Sequence, residues 1–344
     1  MMRENTHMEH LEDLLFESSD LLTRLMHGEV KFTRKWDGAP SIFFGVDDDG
    51  RAWIARKGLF NKDAKKYYSR SDFDADPKFP EDLKTPLWNT LVYLDRAWVG
   101  PKLTGYFVQG DLMFTDGAKD GTFHPNTIRY VTSKIPSSAK VGIVWHTRYT
   151  NDTIEYGASI KEHFRNLNQL WMINAHDEIE DIVPATNFAF CITVPHVSNY
   201  SHLSDKTIVL FKTYQNAKIK GYADGSFIDF VFDHMERSVE SVKMDKTKAK
   251  RIAEYKEVIK EIVSVPDLES DYAKLTEYKM FLLSQFDVYP SDYKATLVKT
   301  DGTVEETAHE GYAVFDSFGN AAKIVDRDRF SKANFSDEYV KGWS

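Results

Sequence analysis

The chain carries hairpin punctuation toward both ends and helical periodicity between them, an order that constrains its fold more than any single motif. From about residue 29, EVKFTRKWDG, PSIFFGVDDDG and RAWIARKG read as short strands joined by turns, with Asp49-Gly50 marking a hairpin between 41–46 and 51–55. KLTGYFVQGDLMF and KVGIVWHTRY continue the strand pattern, and GAKDGTFHPNTIRYVTSK between them reads as a long, ligand-facing excursion over a sheet. Far along, HEGYAVFD and NAAKIVD flank the turn Ser317-Phe318-Gly319-Asn320. Between these ends lie helix-like stretches at 159–173, 238–263 and 268–286, with a strand-like TIVLFKTY. Leucines at three and four spacings predict an amphipathic helix within 9–27, and another helix is expected around 87–98.

With 344 residues, 42% hydrophobic and 14% aromatic, the chain has material for a real interior and for a substrate cleft. Its single cysteine, Cys191, excludes an intrachain disulfide framework and a multi-thiolate metal site, and fits a reducing compartment. The opening segment is acidic and polar, and no eighteen uncharged apolar residues run together. The expectation is a protein of the cytoplasm or another reducing intracellular compartment, not secreted and with no membrane partner. A formal charge of −9 argues against undiscriminating nucleic-acid affinity, while leaving room for a local basic groove.

The sharpest local feature is Lys35-Trp36-Asp37-Gly38-Ala39-Pro40-Ser41, set between an alternating strand and the apolar Ile42-Phe43-Phe44. A lysine at a strand edge beside a buried cleft is partly desolvated, and with flanking cations its neutral, nucleophilic form is favoured. Such an amine can attack phosphorus. Asp37 is placed to hold the amine or orient a nucleotide, and Gly38 permits close backbone approach. Taken alone, the same residues read more readily as a solvated strand lysine and a tight turn.

Lys35-Trp36-Asp37-Gly38 resembles the lysine-any-aspartate-glycine signature of the covalent nucleotidyltransferase superfamily, which contains ATP-dependent DNA ligases, RNA ligases and messenger-RNA capping enzymes. Arg56-Lys57-Gly58 is similar to the ligases' arginine-any-glycine element, and Gly110-Asp111-Leu112 to the family's glycine-acid-leucine strand, with Asp111 in place of the usual glutamate. Val144-Trp145 resembles the strand that offers an aromatic surface to the purine. Glu310-Gly311 resembles the strand that helps place the catalytic metal, and Lys323 the late lysine that contacts the alpha phosphate. The usual second lysine is replaced by Val325, leaving Arg327 or Arg329 as substitutes. The resemblance covers about 29–150 and 303–330.

That resemblance implies an α+β chain with a nucleotidyltransferase (adenylation-domain, ATP-grasp-like) fold. Antiparallel sheets would surround a nucleotide cleft. The expected division is a helical segment at 1–28, a discontinuous core at 29–154 and 301–334, and a partly helical insert at 155–300, with no C-terminal OB barrel. The implied activity is ATP-dependent polynucleotide ligation: Lys35 forms a phosphoramidate with AMP, and the AMP then activates a 5′-phosphate for attack by a 3′-hydroxyl. DNA nicks are the favoured substrate, in repair or replication. RNA ligation and a non-catalytic nucleotide- or nucleic-acid-binding protein with a degenerate ligase fold are the alternatives. The implied catalytic set is Lys35, Arg56, Glu310 and Lys323. Asp37, Gly38, Asp111 and Trp145 join them around ATP, and Glu310 and Asp111 would hold Mg2+ or Mn2+.

Other residues carry two readings. Lys212, with Lys218 and Lys220, competes with Lys323 as the late phosphate contact; Lys323 is preferred because Glu310-Gly311 precedes it by one hairpin. Lys246, Lys250 and Arg251 in KMDKTKAKRIAEYKEVIKEI would grip a polynucleotide backbone if the insert is a clamp replacing the barrel; otherwise a protein partner would supply substrate grip. The pattern more readily describes a solvated helix of alternating charge. Arg70, Lys119 and Arg129 are further strand-contact candidates. Tyr106 at its strand position reads equally as core or as a base platform, whereas His146 and His309 read first as satisfied, non-catalytic side chains.

Overall fold

The two ends of the chain meet in one sheet. The computed structural model describes residues 8–18, 20–175, 195–287 and 292–342; Cys191 lies outside the described residues. Strand β1 (Glu9–His10) runs parallel to β14 (Ala321–Val325), which pairs antiparallel with β13 (Gly311–Phe315), and β13 with β2 (Lys31–Lys35). Cross-strand partners share a face and alternate residues return to it. The register therefore puts Lys35, Thr33, Lys323 and His10 on one face of this first sheet. Phe32, Tyr312, Val314, Ala322 and Ile324 occupy the other, packed on Leu282 and Phe286 of a long helix.

A second sheet has the order β10 (Leu170–Asn174), β8 (Val141–Tyr149), β5 (Phe107–Phe114), β3 (Ser41–Val46) and β4 (Ala52–Ala55), with β9 (Ile154–Tyr156) beside β8. Its β3–β4 hairpin is the one expected at Asp49-Gly50, where Gly50 takes a φ of +81°. Helices α1 (Leu21–Met26) and α2 (Arg70–Ala75) are short, whereas α3 (Glu81–Ala97) covers one face of this sheet. Leu87, Leu91 and Leu94 of α3 pack on Ile42, Phe44, Ile143 and Trp145. A third sheet, β12 (Val304–Thr307), β11 (Lys294–Val298), β7 (Ile128–Val131) and β6 (Thr122–Phe123), closes over Trp36 through Tyr130, Tyr293 and Leu297. The molecule is a mixed α+β fold with several largely antiparallel sheets and no closed barrel among the described residues.

Helices α4 (Asp205–Ile219), α5 (Phe227–Glu240), α6 (Asp245–Ser264) and α7 (Leu268–Phe286) form the helical region. Helix α8 (Arg327–Phe335) follows the last strand. The strand-like 207–214 is helical here: the Ser204 side chain accepts from Thr207 N, capping α4, and Leu210, Phe211 and Tyr214 then share a buried face. The single helix expected over 238–263 is two helices, broken at 241–244, where Arg251 donates to Ser238 O and Ser241 Oγ. The helix expected over 159–173 is a short 3-10 turn (Lys161–His163) followed by β10, because parallel pairing with β8 outweighs the local pattern. The helix expected within 9–27 is a 3-10 segment (Leu11–Phe16) and then α1. Sheet pairing thus extends past the expected 155–300 boundaries at both ends, and β1 joins the N-terminal segment to the first sheet.

A buried ionic network ties the helical region to the first sheet. Lys279 of α7 donates to Glu12 at 2.6 Å, with side chains 2% and 1% exposed, and Arg327 of α8 lies 3.4 Å from both Glu12 and Asp13. Tyr272 donates to Asp13, and Arg327 to Tyr272 and Asn216. Among the described residues no helix is long and apolar enough to cross a membrane.

Candidate functional site

Lys35 ends β2 at the point where the chain leaves the first sheet for the second. Its Nζ donates to Glu310 Oε2 at 2.5 Å, across 275 residues of sequence. Gly311 pairs with Lys35 on one side and Val325 on the other, which is why Glu310 arrives here. Gly311 has a φ of +149°, and a Cβ there would meet Ile324 O at 2.2 Å, so glycine is required for the strand to approach. The side chains of Lys35 and Glu310 are 29% and 14% exposed, so the pair remains open to a ligand.

Asp111 approaches from the second sheet. Its register partners Ser41 and Val144 share its face, as does His146, whose Nε2 lies 3.8 Å from Asp111 Oδ2. Gly38 lets the turn after Lys35 lie against that strand, since a Cβ there would fall 2.5 Å from Asp111 Cβ. Gly110 has a similar reason: a Cβ would sit 2.7 Å from Val144 O and from the Trp145 ring.

The electrostatics run against a pre-neutralised Lys35. Burial alone would lower its amine, but the Glu310 charge and hydrogen bond, with Asp111 and Asp37 behind them, hold it above the ordinary lysine value. Glu310 is pushed up to about 7, first by burial and then by Asp37 and Asp111, against the pull of Lys35. Burial would raise Asp111, but His146, Lys35 and Ser41 bring it below the ordinary range. Lys323 is the depressed amine: burial and the Lys35 charge lower it, aided by Lys57 and opposed by Glu310 and Glu9. His10, beside Lys323 in register, is lowered to about 2 by burial and by Arg327, Lys279, Lys323 and Lys35.

Several expected roles need correction. Asp37 does not hold the amine: its carboxylate accepts from Asn126 Nδ2 and from the backbone N–H groups of Thr127 and Ile128 at 2.7–2.8 Å, and its own N–H donates to Tyr130 OH. It anchors the 126–128 segment. Trp145 cannot be a purine platform, because strand alternation turns it to the α3 face, where it is fully buried and stacks on Phe164 at 5.2 Å. Tyr106 is buried in the same core and bonds His163. Lys212 lies on α4 and pairs with Glu9 at 2.9 Å, and Arg327 serves the buried network. Arg329 is exposed and donates to Glu306 O. Arg70 bonds Asp74 and Thr85, and Arg129 bonds Thr296. Lys119 forms only a bridge with Thr122. Lys218 lies near the Tyr214 ring and, like Lys220, belongs to the end of α4. His309 is buried in an aromatic nest with Trp36 and Tyr130, lowered to about 3 by burial and Arg34.

Arg56 lines a cleft with Pro40, Ser41 and Lys57, its guanidinium 5.7 Å from the Phe79 ring centre. Ser41 and His10 were missed as site residues. Ser41 comes to the site by its pairing with Asp111, which no sequence spacing reveals, and β1 is too short for His10 to leave a pattern.

A family model matches residues 5–339, covering nearly the whole chain. The chain belongs to the DUF6267 family. That family is described as one of unknown function. No curated protein and no solved structure matches the chain.

Among the described residues no group of three or more His, Cys, Asp or Glu side chains is gathered for a metal ion. Glu310 and Asp111 both act electrostatically on Lys35.

Proposed function

We propose that this DUF6267 chain is an ATP-dependent nucleotidyltransferase of the polynucleotide-ligase type, with a nucleotidyltransferase core and Lys35 as the residue that accepts AMP. The observation carrying the reading is the Lys35–Glu310 contact, with Lys323 and Asp111 around it. Three residues from separate parts of the sequence, each matching a motif in the expected order, are coupled to the Lys35 amine: Glu310 and Asp111 act on it, and its charge acts on Lys323.

In the first step the Lys35 nitrogen attacks the alpha phosphorus of ATP; a P–N bond forms and the P–O bond to pyrophosphate breaks. Lys35 must first give up a proton. Glu310 Oε2 accepts its hydrogen bond at 2.5 Å and is pushed up to about 7, which makes Glu310 the acceptor of that proton. Lys323, on the same sheet face, balances charge on the phosphate oxygens. Asp111, joined by Glu310 once that proton has passed on to solvent, would hold magnesium, whose contribution when bound is to neutralise phosphate charge. A 5′-phosphate oxygen then attacks the AMP phosphorus, breaking the P–N bond and restoring Lys35. A 3′-hydroxyl finally displaces AMP and joins the ends.

One observation favours a second reading. Lys35 is held above the ordinary lysine value, and so as an ammonium, by Glu310, Asp111 and Asp37, as suits a protein that binds nucleotide without turnover. Incubation with magnesium and 5′-phosphorylated acceptors, as nicked duplex DNA or single-stranded RNA, separates the readings. Joined DNA is expected. Joined RNA alone would make it an RNA ligase, and nucleotide binding with no joining would favour the second reading. The helical region as a clamp is a lesser part of the proposal: Lys246 and Lys250 are exposed on α6, whereas Arg251 is engaged with Ser238 and Ser241.

A further inference from the structure

Beside the Lys35 site, a second cleft of about 690 Å³ opens between the start of β3 and the loop before α3. Its lining holds five cationic side chains, Arg56, Lys57, Lys62, Lys65 and Lys78, against two carboxylates, Asp63 and Asp76. That balance is the reverse of the chain's −9. Asp76 is already used, accepting from Lys65 at 2.6 Å and from Tyr67 OH. Lys57, Lys62 and Lys78 are exposed and have no acidic partner among the described residues.

The cleft is joined to the candidate site at Ser41, which pairs with Asp111 in register, and through Lys57, whose charge reaches Lys323. Unpaired lysines on extended stems supply point charges, and they suit a succession of phosphates better than one planar, bidentate group. Arg56 adds a rigid fork.

We infer that this cleft binds the phosphate backbone of a polynucleotide strand, with Lys57, Lys62 and Lys78 contacting its phosphates. The inference rests on the proposed nucleotidyltransferase reading for the cleft's relation to Lys35, and not for the anion binding itself.

The test uses the full chain carrying Lys57→Ala, Lys62→Ala and Lys78→Ala together. A control carries Lys102→Ala, Lys140→Ala and Lys161→Ala, exposed lysines outside the cleft lining. Fluorescence anisotropy reads the binding of a 5′-phosphorylated single-stranded oligonucleotide, DNA or RNA, across a salt series. Circular dichroism verifies folding.

The cleft variant is expected to bind the oligonucleotide roughly tenfold or more weakly, with the log–log salt slope shallower by about 2, at ~0.7 per lost phosphate contact. The control should change neither. Lysine labelling by ATP in the absence of acceptor should persist in the cleft variant. Equal losses in both variants, or no loss in the cleft variant, would overturn the inference. Retained strand binding with loss of ATP labelling would also overturn it, by assigning the cleft to the nucleotide's own phosphates. If the unmodified chain never labels yet its strand affinity depends on these lysines, the nucleotidyltransferase reading fails and the cleft stands.

Discussion

Two lysine–glutamate pairs with nearly the same bond length sit in two regions of this molecule and teach opposite lessons. Lys279–Glu12 joins the helical region to the first sheet at 2.6 Å and is sealed, whereas Lys35–Glu310 joins two strands of the sheet region at 2.5 Å and is open to a ligand. Around the sealed pair the remaining groups complete a network: Arg327 reaches both acids, and Tyr272 bridges Asp13 and Arg327. Around the open pair charges are left over, because Asp111 and Asp37 add to Glu310 and Lys323 adds to Lys35. A completed ionic network fixes the relation of two parts. An incomplete one that stays partly exposed can receive ions from outside.

The strongest break in the comparison comes from truncating each lysine. Lys35→Ala should abolish transfer of label from alpha-labelled ATP to the protein, while a folded Lys279→Ala should retain it. Equal retention in both would erase the functional distinction. For stability the order reverses. Lys279→Ala strands Glu12 in a buried site and should cost about 3–5 kcal/mol, read by denaturant unfolding. A loss below about 1 kcal/mol would show that Arg327 alone satisfies Glu12.

A smaller effect distinguishes the open pair by pH. Glu310 must be ionised to take the Lys35 proton, and its carboxyl sits at about 7, so the labelling rate should fall about tenfold per pH unit below 7. Above that value Glu310 is ionised and this dependence disappears. Glu310→Gln should be slower at pH 8 by about tenfold or more and should lose that acid limb. Persistence of the limb in Glu310→Gln would assign it to another group. The smallest effect is expected at Trp145→Phe: because the indole faces α3, ATP labelling should stay within about twofold. A tenfold loss would put the ring back against the nucleotide.

The sequence made the local features legible and left the long-range ones hidden. Both hairpins and the helix at Leu268–Phe286 were readable, because turn residues and apolar spacing act over a few positions. Motif order leads to the expectation that Lys35, Asp111, Glu310 and Lys323 come together, and the four side chains are electrostatically coupled. The role of Asp37 was not readable. Its partners lie about ninety residues away in the 126–128 segment, and a two-residue spacing from Lys35 says nothing of them. Trp145 failed for another reason: which face a strand residue takes depends on register, and β5 and β8 shift register between Gln109 and Gly110. In the helical region, Thr207-Ile208-Val209 looked like a strand until the Ser204 cap and the buried helix face outweighed β-branched propensity.

The central claim is that Lys35, and not the depressed Lys323, is the amine that takes the nucleotide. Incubating the full chain with magnesium and alpha-labelled ATP, followed by denaturing separation and peptide mapping of the acid-labile adduct, tests it directly. The expected result is label on the peptide containing Lys35, absent from Lys35→Ala and reduced but present in Lys323→Ala. Label on Lys323, or no covalent label from a folded protein with ATP or GTP, would contradict it.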